Sequence, residues 1–133
     1  MEPGRRLPID GLTAVATEVP HARESRFRTY AWRLRGGGSS IVYASDVGRL
    51  EPALRRFSER AGVLVIDGAM WRRPLFAHLT IDRELPALCG WGVRRIVLTQ
   101  IGRSAPPHET FAREIRRLCE RAEPAWDGLV IEA

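Results

Sequence analysis

Two short runs of apolar residues constrain this chain more than anything else in it. Residues 63–66 read Val-Leu-Val-Ile, and residues 95–99 read Arg-Ile-Val-Leu-Thr. Strands with no polar alternation are covered on both faces, the habit of parallel strands flanked by helices. Amphipathic stretches separate and follow them. In 50–61, Leu50, Ala53, Leu54, Phe57 and Ala61 share one helical face, and Gly62 is placed to cap the end. In 80–91, Thr80 is a candidate N-cap and Gly92 a stop, with Pro86 expected to shorten or kink the helix. In 108–122, Phe111, Ile115, Leu118 and Cys119 form the apolar face, and a last strand is expected at 129–131. Alternating strand and helix predicts a layered α/β fold with parallel neighbours.

The first third reads differently. Residues 1–11 carry Pro3, Gly4, Pro8 and Gly11 and are expected to be a lead-in segment, leaving 12–133 as one domain. Residues 12–19 alternate like a strand that Pro20 ends. Residues 26–35 alternate more cleanly, Gly36-Gly37-Gly38-Ser39 is a turn, and 40–44 completes a hairpin. The predicted order is β-β-β-α-β-α-β-α-β. A chain of 133 residues is one domain's length and can bury a core without metals or disulfides to hold it. No run approaches the roughly 18 apolar residues of a membrane span, and Arg5-Arg6 leads into no apolar stretch. The expectation is a cytoplasmic protein with no membrane partner.

The net charge is +5 and the pI about 10.5. All 21 basic residues are arginine, Lys and Asn are absent, and Gln100 is the single Gln. This bias resembles GC-rich coding, and the arginines fall in scattered pairs such as Arg5-Arg6, Arg55-Arg56 and Arg94-Arg95. A solvated Arg-rich surface is therefore preferred over nucleic acid as a partner. Cys89 and Cys119 lie beside leucines without CxxC spacing and are expected to be buried free thiols.

Chemistry-bearing residues follow the predicted strands: His21 after the first, Asp46 after the third, Asp67 after the fourth and Gln100 after the fifth. His78 precedes the second helix and His108 opens the third. Loops beyond strand C-termini form the ligand crevice of open α/β sheets. Imidazole and carboxylate together suit zinc, manganese or iron. Each residue alone also has a structural reading: a loop histidine, an Asx-turn before Val47-Gly48 or Gly68, a helix-start side chain. Their common placement favours a site.

The segments Val42-Tyr43-Ala44-Ser45-Asp46, Val63-Leu64-Val65-Ile66-Asp67-Gly68, His78-Leu79-Thr80-Ile81, Val97-Leu98-Thr99-Gln100-Ile101 and Trp126-Asp127-Gly128-Leu129 stand in this order. In this order they resemble the second half of a metallo-β-lactamase-fold hydrolase. Within that superfamily the chain is most similar to the phosphoribosyl cyclic phosphodiesterase branch. The resemblance implies an α/β fold that is half of an αβ/βα sandwich, a mixed sheet with helices packed on one face. It implies that His21 and Asp46 bind a divalent metal, Zn or Mn, with Asp46 bridging two ions in a complete domain. It implies that His78 contacts the substrate phosphate or leaving group, a catalytic role.

Two departures qualify this. The His-x-His-x-Asp-His motif of the first half is absent, and the usual Thr-His is Thr99-Gln100 here, with His108 a candidate substitute. The resemblance thus implies a metal-dependent hydrolase of small phosphodiester-type substrates, inactive as the isolated chain. It would be completed by a missing N-terminal half or by a homodimer. The alternative is a non-catalytic binding or assembly module that retains the fold.

Overall fold

The computed structural model describes residues 4–22 and 27–132. Seven strands and three helices alternate as β1 (Arg6–Ile9), β2 (Leu12–Val19), β3 (Thr29–Gly36), β4 (Ser39–Ala44), α1 (Pro52–Ser58), β5 (Val63–Asp67), α2 (Ile81–Cys89), β6 (Arg95–Thr99), α3 (His108–Leu118) and β7 (Ala122–Pro124). They form one mixed sheet in the order β1-β2-β3-β4-β5-β6-β7. The first four strands form an antiparallel meander, and β4 to β7 are parallel. The expected α/β architecture with helices on one face is what forms.

The period-two geometry of β5 and β6 divides their apolar runs between two faces. Leu64, Ile66, Ile96 and Leu98 are fully buried with Leu54, Leu85, Leu88, Phe111 and Ile115 of the helices. Val63, Val65 and Val97 point the other way, beneath Ala125, Leu129 and Ile131.

Several boundaries differ from the sequence reading. Within the stretch read as a lead-in, Arg6–Ile9 pairs antiparallel with β2, while residues 1–3 lie outside the described set. Residue 26, the expected start of the second strand, also lies outside it, and β3 begins at Thr29. The helices are shorter than their apolar periodicity. Glu59, not Gly62, caps α1, and Gly62 instead donates to the Ser40 carbonyl at 2.8 Å. A Cβ there would lie 2.7 Å from Ser39 Oγ and 3.3 Å from the Ser40 carbonyl oxygen, so a side chain would have to turn the Ser39 hydroxyl away. Pro86 stays inside α2.

The final strand is a correction. It is Ala122–Pro124, beginning at the last residue of the stretch read as helix, because the open edge of β6 takes it up: Ile96 N–H donates to the Arg121 carbonyl and Ala125 N–H to that of Leu98. Residues 129–131 form no strand and lay Leu129 and Ile131 on the second face. The cysteines are a second correction. Cys89 and Cys119 form a disulfide, because α2 and α3 lie side by side and bring their Cα atoms to 5.7 Å. Among the described residues, no helix is long and apolar enough to cross a membrane.

Candidate functional site

The C-terminal ends of β4, β5 and β6 share one edge of the sheet, and β2, which runs in the same direction as β4, ends there too. His21, Asp46, Asp67 and Gln100 therefore meet at this edge, with His78 from the β5–α2 loop. The loops are drawn together at Gly48. Its N–H donates to the Pro20 carbonyl at 2.7 Å, and a Cβ would lie 2.7 Å from the His21 carbonyl oxygen and 3.0 Å from that of Phe76.

Asp67 is the fixed point of the site. It is 0% exposed, yet every polar need of its carboxylate is met. Oδ1 accepts from Ala69 N–H at 2.9 Å, and Oδ2 from Val47 N–H at 3.1 Å and from His78 Nδ1 at 2.7 Å. Buried carboxylates persist where such donors compensate them. A carboxylate in this setting accepts, so His78 donates through Nδ1, and Nε2 has no hydrogen-bond partner among the described residues.

His21 is set in the same way. Its Nδ1 donates to the Ala77 carbonyl at 2.6 Å, again with Nε2 unpartnered among the described residues. The two rings lie 5.2 Å apart, nearly edge to face. Donation of one ring N–H to a carbonyl or carboxylate, with the other nitrogen free, is how ligating histidines are oriented.

Asp46 receives Ser45 Oγ on Oδ2 at 2.7 Å and Gln100 Nε2 on Oδ1 at 3.3 Å. Gln100 holds a left-handed backbone (φ 55), uncommon for a residue with a side chain. Its amide thus stands over the carboxylate it would otherwise leave open. His108 makes no hydrogen bond to Asp46 or to the other histidines. It packs edge-on against Trp126 at 5.8 Å and shares with Gln100 a neighbouring cleft of about 690 Å³.

The donor types suit a borderline divalent ion, but the number falls short. Among the described residues, no three His, Cys, Asp or Glu side chains come together to hold a metal. Sequence reasoning missed Ser45 and the Val47, Ala69 and Ala77 backbone groups. Ser45 was legible only as the neighbour of Asp46, and backbone partners carry no sequence signal.

The description beta-lactamase superfamily domain matches residues 1–101. The chain belongs to this family. Its fold is shared with Zn²⁺-bound PqqB from Methylobacterium extorquens (TM-score 0.81, 18% identity, 100% of this chain and 55% of that one). It is shared also with a diphosphatase from the PhnP family (TM-score 0.80, 22% identity, 98% and 47%). A third is the metallo-β-lactamase fold protein YhfI from Bacillus subtilis (TM-score 0.78, 18% identity, 97% and 53%). This beta-lactamase superfamily chain spans about half the length of these structures. No curated protein matches it.

Proposed function

We propose that this chain forms the second half of a metal-dependent hydrolase of the phosphodiesterase-like branch, acting on small phosphodiester-type substrates. The observation that carries the reading is the pair of histidines, His21 and His78, each held through Nδ1 with Nε2 unpartnered among the described residues, on the edge that bears Asp46. In this reading His21 and Asp46 contribute to the ligand set for Zn or Mn, and His78, positioned by Asp67, contacts the substrate. A first half bearing the missing histidines, or a second copy, supplies the remaining ligands. It also covers the apolar sheet face on which Tyr43 is 46% exposed beside Val65. Likeness to a PhnP-family diphosphatase supports the phosphoester class.

Metal content measured by elemental mass spectrometry, for the chain alone and co-purified with a superfamily first half, tests this. The expected result is less than one equivalent alone, at least one in the complex, and hydrolysis of bis(p-nitrophenyl) phosphate only in the complex. Asp46→Ala should lose the metal, and His78→Ala should keep it while hydrolysis falls by about 10²-fold or more. Failure of every such complex to bind metal sinks the reading. A second reading, a non-catalytic binding module, is favoured by Gln100, whose amide occupies Asp46. It predicts that Gln100→His changes neither metal content nor hydrolysis in the complex.

A further inference from the structure

The arginines that lie in scattered pairs along the chain are gathered by the fold. Two adjoining clefts open at the end of the sheet opposite the candidate site, on the side of α1. Arg33, Arg35, Arg60 and Arg94 line one, and Arg6, Arg33, Arg35 and Arg56 line the other. The strand register explains the gathering. Arg6 and Arg33 flank Val15 on neighbouring strands, and Arg35 stands opposite Thr13, two residues along the same face as Arg33. Arg56 comes from the last turn of α1, Arg60 from just beyond it, and Arg94 from the residue before β6.

These six meet one another in joined clefts that no acid among the described residues enters. Elsewhere, Arg28, Arg49, Arg72, Arg95 and Arg117 each meet a glutamate, while others such as Arg73, Arg83 and Arg103 stand without an ion pair but outside these clefts. None of the six makes an ion pair, and no Asp or Glu lines either cleft. Arg33 is the clearest case. Nη1 donates to the Phe57 carbonyl at 2.8 Å and Nη2 to Ser40 Oγ at 3.0 Å, while its buried Nε has no partner. Burial, and then the Arg35 charge, push its guanidinium below the ordinary value. Like charges side by side on a sheet destabilise it unless something compensates them.

We infer that this end of the molecule binds the sugar–phosphate backbone of a single nucleic-acid strand. A lone phosphate is met by one or two guanidinium forks, so six spread over two joined clefts match a polymer with repeated anions. The clefts offer no exposed aromatic platform, so the surface contacts phosphates and carries little base preference. It lies about 17 Å, the length of a five-residue strand, from the edge bearing His21 and His78, and does not depend on the hydrolase reading.

Fluorescence anisotropy with a labelled single-stranded RNA oligonucleotide tests this, using the full chain at a series of salt concentrations. Six phosphate contacts on a single strand predict a log–log salt slope of about −4. The triple variant Arg35→Gln, Arg60→Gln, Arg94→Gln, all exposed positions, should reduce that slope by about 2 and weaken binding at least about tenfold. A control with the same charge loss on the distant helices, Arg83→Gln, Arg113→Gln, Arg117→Gln, should bind as the parent does. No binding by the parent overturns the inference. So does equal weakening by both triples, which would make net charge the cause. Capture of inorganic polyphosphate but not of the oligonucleotide overturns it as well.

Discussion

The two faces of the sheet are built from alternate residues of the same strands and end in different states. Leu64, Ile66, Ile96 and Leu98 are sealed under three helices. Among the described residues, Val63, Val65 and Val97 have the C-terminal segment above them, and Val130 in it is 79% exposed. Neighbouring Tyr43 stands half in solvent. The apolar runs of β5 and β6 therefore serve two cores, of which the described residues complete one. The fold matches about half of each of the longer structures along nearly its whole length.

Leucine truncation gives the largest test of this contrast. Leu98→Ala or Leu64→Ala should cost about 2–5 kcal/mol, because the helices cannot collapse into the cavity. Val65→Ala on the second face should cost about 1 kcal/mol. Urea unfolding midpoints check both, and equal losses would break the distinction between the faces. Next comes the disulfide on the covered face. Replacing Cys89 and Cys119 by Ser should cost about 2–4 kcal/mol by releasing a closed loop. Intact mass after alkylation counts the free thiols. A fully alkylated protein under non-reducing conditions would remove this staple from the comparison, and disulfides are rare in reducing compartments.

Asp67→Ala, at the edge where both faces meet, should cost about 1–3 kcal/mol, since it strands the Val47 and Ala69 N–H groups and His78 Nδ1. Loss of the His78 orientation should show as a changed imidazole tautomer by nitrogen NMR; an unchanged tautomer would mean that Asp67 does not position the ring. The smallest effect lies in α2. Burial holds the Glu84 carboxyl above its ordinary value of 4.5, against the opposing hydrogen bond from Thr80, with the Asp67 charge adding to the rise. The folded state thus holds this proton more tightly than the unfolded chain. Its stabilising contribution is present below pH 4.5 and is lost as pH rises through the raised value. Glu84→Gln should gain stability relative to the parent from pH 4 to pH 7, read from thermal midpoints across that range, and a flat difference would show that the covered face does not desolvate this group.

Much of the fold was legible. The strands at 12–19, 63–66 and 95–99 and the three helices announce themselves by periodicity, and the site residues by their position after strands. The C-terminal strand was not legible, since Ala-Glu-Pro has no strand pattern and forms one only because the edge of β6 offers it hydrogen bonds. The site was legible as a set of residues but not as an arrangement: His108 falls against Trp126, while Gln100 reaches Asp46.

The sequence by itself determined the three helices, the strands β2 to β6 and which residues sit at strand ends, because those depend on nearest-neighbour periodicity and on turn chemistry. Only the tertiary structure decided the hydrogen-bond partners of His21 and His78, the pairing of Cys89 with Cys119 and the convergence of six arginines at one end. Each of these depends on groups brought together from distant parts of the chain, and no local pattern encodes the distance between them.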